Sequence, residues 1–371
     1  MKLAWRNLLA DRIRFAVTVV GIAFAVFLMT FQGSLLAGFL RAAATGVTAT
    51  DGELWVAARG VQCFEFPTPL PSRLREIALG VPGVLRVDRI LVGSAVWQKP
   101  SGVGQMILLI GAETGVGTRF PVPYLRNEAS ATAPEAVLVD ESNVQLLEAT
   151  QLPVIEVNQR RAHTEKIISG FGSFFGTPYV FTTYADAGKY LRAEPEQTSY
   201  LILGIEPGSD LQTMKQQVQQ KLPEADVWTR DEFARRAQRY WVAQTGAGGA
   251  LLTAALLGFL VGLVVVSQNI YATTMEHLEE FATLKALGAT TSYIRRLVLL
   301  QALACGVVGA CLGFLATLPA IRFARNAIPW VNTPFWLPVG ILGAGLLMCA
   351  LASVVSIRKV LQLDPAKVFR A

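Results

Sequence analysis

Few side chains in this sequence have the type and spacing that chemistry requires. There are two histidines: His163 stands alone in a polar stretch, and His277 lies among Glu276, Glu279 and Glu280. Neither has the His or Cys neighbours, at loop or helical spacing, that a zinc site requires. No nucleophile elbow or serine-triad arrangement is present either. The sequence therefore predicts a non-enzymatic chain with no catalytic centre, metal site or cofactor of its own.

The nearest approach to a phosphate-binding loop is the Ala-Gly-Lys-Tyr run at 187–190. It lacks the upstream glycine and the hydroxyl residue of GxxxxGK[ST], in which backbone amides cradle the phosphates of a nucleotide. If this protein uses nucleotide energy, a second chain must bind the ATP and its Mg²⁺.

The four cysteines predict no intrachain disulfide. Cys305, Cys311 and Cys349 lie in apolar runs, where cysteine behaves as a small apolar residue. Only Cys63 lies in the polar central region. We interpret it as a packed or partly exposed free thiol, and an intermolecular bridge is the alternative.

Four long runs without a charged residue dominate the rest of the sequence, at 15–40, 240–275, 297–321 and 335–357. A bilayer core about 30 Å thick requires roughly 20 helical residues. The runs therefore predict four transmembrane helices, one before and three after an extramembrane domain at about 41–239. The composition agrees, with 52% hydrophobic and only 16% charged residues.

Basic residues at the ends of these runs predict the orientation of the chain. They precede the first run and follow the fourth: Lys2, Arg6, Arg12, Arg14, Arg358, Lys359, Lys367 and Arg370. Both termini, at 1–14 and 358–371, are therefore expected in the cytoplasm, and the large domain and the loop at 322–334 outside. The formal net charge of +6 then belongs to the cytoplasmic face and does not indicate nucleic-acid binding.

The domain begins and ends with a strand–helix–strand unit. The first unit is predicted at 52–58, 72–79 and 84–91, and the second at 199–206, 209–222 and 225–229. Helical spacing places Leu74, Ile77, Ala78, Leu211, Met214 and Val218 on the apolar faces of the two helices. Two such units can form one α/β subdomain with a split arrangement that resembles a ferredoxin-like fold. The Gly- and Pro-rich stretch at about 93–198 between them predicts a mostly β insertion.

A helix predicted at 229–241 leads from the domain towards the second span. Thr229 and Glu232 fit a capping box. No helix breaker precedes the glycines that begin at Gly246, so we expect a helical stalk that feeds directly into the membrane. Tyr240 and Trp241 would be its interfacial anchors. The alternative is a surface helix that merely ends near the bilayer.

Glycines four residues apart occur in two of the spans. Gly258 and Gly262 lie in the second span, and Gly309 and Gly313 in the third. This spacing allows helices to approach closely, so we expect these residues in helix packing or in a homodimer seam. The spans contain no Asp, Glu, Lys or Arg, and the sequence thus predicts no proton or ion relay of the kind found in secondary transporters.

The inner segment at 276–296 reads EHLEEFATLKALGATTSYIRR. Its apolar residues recur at helical spacing up to Gly288, which ends the predicted helix: Leu278, Phe281, Leu284 and Leu287. Acidic residues dominate the polar face, and anionic lipid would repel them. A protein partner therefore suits this segment better than the alternative, an interfacial membrane anchor.

The same segment carries a family resemblance. EFATLKALGAT at 280–290 resembles the Glu-x-x-x-Leu-Lys-Ala-(Ile/Leu)-Gly-Ala signature of the FtsX/MacB-type ABC transporter permeases (type VII, mechanotransmission). Residues 3–28 are similar to the N-terminal helix and first span of that superfamily, and LDPAKVFRA at the C-terminus resembles its terminal motif. Within the superfamily the chain looks closest to the DevC-type permeases, through residues 81–100, 239–241 and 267–294.

The resemblance implies a membrane α-helical fold with a MacB-like α+β periplasmic domain between the first two spans, in a bacterial inner membrane. It implies a homodimer that pairs with a separate ABC ATPase, and ATP-driven movement of the stalks and the domain. A periplasmic adaptor and a TolC-like outer-membrane channel are further expected partners. By position, the ATPase contact would be formed by Glu280, Phe281, Leu284, Lys285, Ala286, Leu287 and Gly288. The N-terminal helix, with Trp5, Arg6 and Arg14, would lie along the inner leaflet.

The predicted function is that of a permease subunit in tripartite efflux of a lipid, glycolipid or other amphipathic cargo. One alternative is an FtsX-like regulator of a cell-envelope enzyme that moves no cargo, and another is a stand-alone membrane sensor or adhesin. The size of the domain favours the exporter. The sequence does not identify the cargo. Phe171, Phe174 and Phe175 could meet an apolar cargo or the adaptor, but they fit a core or a mobile Gly-rich loop better.

Overall fold

A computed structural model describes residues 12–113, 134–150, 154–171, 176–276, 283, 287, 289–328 and 330–361. The chain divides into a membrane unit, residues 1–38 and 247–371, and a domain unit, residues 39–246. The predicted N-terminal helix up to residue 11, with Trp5 and Arg6, and the tail beyond residue 361 lie outside the described residues.

The helices and strands follow one another in this order along the chain: α1 (Arg12–Thr48), β1 (Leu54–Ala58), β2 (Leu70–Pro71), α2 (Leu74–Leu79), β3 (Val84–Gln98), β4 (Gly104–Ala112), β5 (Ala136–Asp140), α3 (Val144–Leu147), β6 (Val154–Val157), β7 (Arg160–Ile168), β8 (Tyr179–Thr183), α4 (Tyr184–Leu191), β9 (Gln197–Thr198), β10 (Tyr200–Ile205), α5 (Leu211–Lys221), β11 (Ala225–Thr229), α6 (Arg230–Ala243), α7 (Ala247–Glu276), α8 (Thr291–Ala327) and α9 (Trp336–Leu361). A 3₁₀ turn at Glu141–Asn143 precedes α3.

Four helices among the described residues are long and apolar enough to cross a membrane. Their candidate spans are Phe15–Thr48, Ala247–Ala272, Ser292–Asn326 and Trp336–Val354. One lies before and three lie after the domain unit, which confirms the predicted fold class. Within the membrane unit, Ile22, Val26, Val266, Val298 and Met348 belong to one buried apolar cluster to which all four helices contribute.

The first and last strands of the domain unit form the predicted ferredoxin-like sheet. Its order is β11-β1-β10-β3, and every neighbouring pair is antiparallel. Helices α2 and α5 pack on one face of this sheet and bury Leu74, Ala78, Met214 and Val218. Ile77 and Leu211, which helical spacing assigned to the same faces, are 38% and 39% exposed. Ile77 lies in the middle of the short α2, and Leu211 is the first residue of α5. The apolar face that helical spacing predicts is therefore wider than the face that the sheet covers.

The insertion between the two units is mostly β and closes on itself. Strand β3 continues beyond the ferredoxin-like sheet, and the order β3-β4-β8-β5-β7-β6 returns to β3 through pairing of Trp97 with Val157. Trp97 is fully buried in the interior of this barrel, and its indole N–H donates to the carbonyl oxygen of Leu147 at 3.0 Å. Closure removes the open strand edges that an isolated sheet would expose.

Candidate functional site

The inner segment expected to contact an ATPase is only partly described. Glu280, Phe281, Leu284, Lys285, Ala286 and Gly288 lie outside the described residues. Leu287 is 80% exposed, and its backbone N–H donates to the carbonyl oxygen of Thr283 at 3.0 Å, a helical i→i−4 bond. Thr290 then caps α8 by accepting a hydrogen bond from the N–H of Tyr293. Among the described residues, Leu287 thus presents a large apolar side chain that is mostly exposed.

The four seam glycines all face the first span of the same chain. A Cβ atom on Gly258 would lie 3.3 Å from Leu28 Cβ, and one on Gly309 would lie 2.7 Å from Ile22 Cβ. A Cβ on Gly262 would overlap Ala25, and one on Gly313 would overlap the carbonyl oxygen of Ala23. Of the two roles expected for these residues, the geometry supports packing within one chain.

The chain leaves the domain unit through α6, which begins with the predicted capping box. Thr229 Oγ1 accepts from the N–H of Glu232, whose carboxylate accepts from the N–H of Thr229, so this prediction is confirmed. The predicted uninterrupted stalk is wrong. Helix α6 ends at Ala243 and α7 begins at Ala247, because the backbone of Gly246 has a positive φ of 73°.

Trp241 is not an interfacial anchor but part of the domain core. It is 8% exposed, and its indole N–H donates to Glu65 Oε2 at 3.2 Å. Glu65 Oε1 accepts a second bond, at 2.8 Å, from the hydroxyl of Tyr179 on β8. Burial raises the pKa of Glu65, although both bonds favour the ionised carboxylate. One acidic side chain thus joins the loop between β1 and β2, the barrel and the helix that precedes the second span.

An aromatic cluster lies on the sheet face opposite α2 and α5. Trp55 on β1 contacts Tyr200 on β10 at 5.6 Å and Phe233 on α6 at 5.4 Å between ring centroids. Phe64 stacks on Tyr200 at 5.6 Å. The hydroxyl of Tyr200 donates to the carbonyl oxygens of Cys63 and Phe64, both at 3.1 Å. The cluster fixes α6 and the loop before β2 to the same side of the sheet.

The chain enters the domain unit through the end of α1 and leaves it through α6, and a hydrogen bond joins these two helices. Gln238 Nε2 on α6 donates to the carbonyl oxygen of Leu40 at 2.9 Å, near the end of α1. Six residues further along α1, a Cβ on Gly46 would overlap the ring of Phe64. The end of α1 therefore packs on Phe64, and α6 packs on the same aromatic cluster through Phe233.

A buried charge lies on β3 in the same sheet. Asp88 is 1% exposed, and neither of its carboxylate oxygens has a hydrogen-bond partner among the described residues. Arg86 Nε is 3.4 Å away. Burial raises the pKa of Asp88 to about 6, and the positive charge of Arg86 only partly opposes this.

The remaining candidates for chemistry fall into structural roles. Cys63 is a buried free thiol, and burial together with the charge of Glu65 raises its pKa to about 12. His163 is 46% exposed, 3.8 Å from a carboxylate oxygen of Glu135, and His277 lies outside the described residues. The Ala-Gly-Lys-Tyr run at 187–190 lies within α4, where Lys189 Nζ donates a hydrogen bond to Asp186 Oδ1 at 2.7 Å. No group of three His, Cys, Asp or Glu that could hold a metal occurs among the residues that the structure describes.

Of the three phenylalanines at 171–175, the structure describes Phe171. Phe171 is buried and meets Phe181 edge to face at 4.9 Å, and its backbone N–H donates to Asp140 Oδ2 at 2.7 Å. Phe171 belongs to the core, one of the two positions that the sequence favoured over contact with a cargo or the adaptor. Phe174 and Phe175 lie outside the described residues. The cluster around Glu65 had no sequence signal, since Tyr179 and Trp241 are far from it along the chain.

Comparisons with known proteins agree with this architecture. The family model for the FtsX-like permease C-terminal domain matches residues 252–365. An ABC transporter permease of Mycobacterium tuberculosis (strain H37Rv) is 24% identical over 290 residues, which cover 78% of this chain and 75% of the relative. An ABC transporter permease of Mycobacterium bovis is 31% identical over 121 residues, 32% of this chain and 34% of the relative.

Two solved structures resemble the domain unit at low sequence identity. The periplasmic region of MacB from Actinobacillus actinomycetemcomitans has a TM-score of 0.38 and 10% identity, with 52% of this chain and 94% of that chain covered. The extracellular domain of the noncanonic ABC-type transporter YknZ from Gram-positive bacteria has a TM-score of 0.35 and 12% identity, with 48% and 98% covered.

Four spans, an extramembrane domain between the first two of them and the matched C-terminal domain define an ABC transporter permease. Within that class, the match to the FtsX-like permease C-terminal domain supports a permease of the FtsX type. The chain is a multi-pass membrane protein with an extracellular domain, and an ABC permease implies an ATPase partner. Permease subunits of this kind are generally non-catalytic.

Proposed function

We propose that this chain is the permease subunit of an ABC exporter in a bacterial inner membrane, with cytoplasmic termini. A homodimer would pair with a separate ATPase, which binds ATP–Mg, through the inner segment at 276–296, in which Leu287 is 80% exposed. ATP-driven movement would pass to the periplasmic domain and drive tripartite efflux of a lipid, glycolipid or other amphipathic cargo through an adaptor and an outer-membrane channel.

The observation that supports this proposal is the bonding of both domain connections to one group of residues. Gln238 joins α6 to the end of α1, and Trp241 joins α6 to Glu65 and hence to Tyr179 of the barrel. A movement of either connection therefore reaches both the sheet and the barrel. Such coupling suits a protein that does mechanical work outside the membrane. It requires no cargo path through the spans.

The test is co-purification of the full-length chain in detergent with the ATPase encoded beside it, followed by ATP hydrolysis with and without the adaptor. We expect a stable complex whose hydrolysis rate responds to the adaptor. A complex that binds the ATPase but ignores every adaptor would favour the FtsX-like regulator. Failure to bind any ATPase would refute the role of the inner segment.

Variants of the inner segment sharpen this test. Leu284→Asp or Gly288→Trp should abolish stimulation of the ATPase, because each disrupts the expected contact, while membrane insertion is preserved. Glu224→Gln is the control, since Glu224 is an exposed residue of the domain unit and lies outside the segment at 276–296. Full stimulation by Leu284→Asp would contradict the proposal.

A further inference from the structure

A lateral groove opens in the membrane unit between α1, α8 and α9. Its volume is about 240 Å³, and Val26, Thr30, Phe314, Val339 and Leu342 are among the residues that line it. The one side-chain hydroxyl among its lining residues is already used, because Thr30 Oγ1 donates to the carbonyl oxygen of Val26 at 2.7 Å. Pockets that hold drug-sized ligands are usually larger, roughly 300–1,000 Å³. A groove of this size and polarity suits one hydrocarbon chain.

Contacts within the membrane unit place this groove towards the domain side of the bilayer. Val339 lies in the first turn of α9, directly after the loop at 328–334. That loop packs on α1 just before the domain begins: Ser34 Oγ and Thr333 Oγ1 share a hydrogen bond of 2.9 Å, and a Cβ on Gly38 would lie 2.8 Å from the N of Asn332. A chain in the groove would therefore belong to a lipid of the leaflet on the domain side.

Two arginines lie near the end of α8 that leads into this loop. Arg322 and Arg325 are exposed, and Arg325 is oriented by donation from its Nε to the carbonyl oxygen of Val331 at 3.3 Å. The sequence has no acidic residue from 281 to 363. Neither guanidinium group forms an ion pair with a carboxylate among the described residues, and guanidinium groups match phosphate oxygens well.

Exposed aromatic residues also occur at the end of α8 and just before and at the start of α9. Phe323 is 79%, Phe335 91% and Trp336 57% exposed. Aromatic side chains of this kind settle at the level of lipid headgroups. Along α8 and α9, the groove, the arginines and the aromatic residues therefore all lie on the part of each helix nearer the loop at 328–334.

We propose that this groove binds a phospholipid with an anionic headgroup, one acyl chain between α1, α8 and α9 and the phosphate on Arg322 and Arg325. An anionic headgroup is favoured over a zwitterionic one because a choline or ethanolamine ammonium group would be repelled by two unneutralised guanidinium groups. The lipid is a bound component of the permease, and this inference does not depend on export or on its cargo.

The test uses the full-length chain in lipid nanodiscs that contain a trace of diazirine-labelled phosphatidylglycerol or phosphatidylcholine. After illumination, the labelled peptides are quantified by mass spectrometry. We expect phosphatidylglycerol to label peptides that carry Phe314 or Leu342 at least fivefold more than phosphatidylcholine, and unlabelled phosphatidylglycerol to compete. Equal labelling by the two lipids would mean ordinary boundary lipid only and would overturn the proposal.

Two kinds of variant separate the groove from the charges. Val339→Trp should fill the groove and remove the selective labelling, whereas Leu315→Trp, at an exposed α8 position outside the groove, should leave it unchanged. Arg322→Gln with Arg325→Gln keeps the groove intact and should lower phosphatidylglycerol labelling about tenfold. Wild-type labelling in the double arginine variant, or in a Val339→Trp protein of normal elution profile, would overturn the site.

Discussion

Replacement of Asp88 by asparagine should stabilise the domain unit in a pH-dependent way. The carboxylate is buried without a hydrogen-bond partner among the described residues, and its pKa is raised to about 6. An unfolded chain has an aspartate pKa of about 3.9. Because the folded state holds the proton more tightly, the free energy of unfolding falls as the pH rises from about 4 to about 6.

The size of the effect follows from the difference in pKa. The pKa of Asp88 is about two units higher in the folded state than in the unfolded chain, and each unit corresponds to 1.36 kcal/mol. The free energy of unfolding is therefore roughly 3 kcal/mol lower above pH 6 than at low pH. This figure already contains the attraction of Arg86, which lowers the pKa. Asparagine resembles the protonated side chain, so Asp88→Asn should regain up to about 3 kcal/mol at pH 7.5 and almost nothing at pH 4.

Thermal unfolding of the full-length protein in detergent, followed by tryptophan fluorescence, measures this gain. For a domain of this size, 1 kcal/mol shifts Tm by about 2–4 °C, so the variant should unfold roughly 6–12 °C higher at pH 7.5. Glu224→Gln, which removes an exposed ion pair with Arg73, is the control and should change stability by less than about 1 kcal/mol. A variant less stable than wild type at pH 7.5, or an equal gain at pH 4, would refute the reasoning.

Three further predictions concern the packing of the two units. Glu65→Ala leaves two buried donors without an acceptor and should cost about 2–4 kcal/mol, measured as a lower Tm of the domain. Gly313→Val should disrupt packing against α1 and lower the yield of monodisperse protein, whereas Gly340→Val, with no atom within 4 Å of its Cβ, should be tolerated; equal yields would contradict this. Cys63, with a pKa of about 12, should react with a maleimide only in denaturant, and rapid reaction of the folded protein at pH 8 would contradict its burial.

Short-range signals in the sequence predicted much of the fold. Charge-free runs of sufficient length identified the spans, and the two strand–helix–strand units predicted the ferredoxin-like sheet. The capping box at Thr229 is correct because its two partners are three residues apart and the bonds are local. These predictions rest on periodicity or on neighbours in sequence, which tertiary contacts rarely override.

Contacts between distant residues could not be predicted in this way. Barrel closure pairs Trp97 with Val157, and Glu65 meets Tyr179 and Trp241 across 114 and 176 positions. The sequence therefore places Trp241 at the membrane interface, from its residue type and its position before the second span, although a buried acceptor holds it in the domain. The functional segment at 276–296 was identified by resemblance, and its ATPase contact stays a prediction.

Strand β3 is shared by the sheet and the barrel of the domain unit, so a rotation at one end of the strand would move the other end. Its residues pair with β10 from Val84 to Ile90 and with β4 from Ile90 to Gln98, so one uninterrupted strand belongs to both the sheet and the barrel. At about 3.3 Å per residue its contour length is about 50 Å. A tilt of about 10° at the sheet would displace the far end of such a strand by roughly 8 Å. The shared strand would thereby convert a small angular change near the chain connections into a stroke longer than a helical turn at the tip of the barrel.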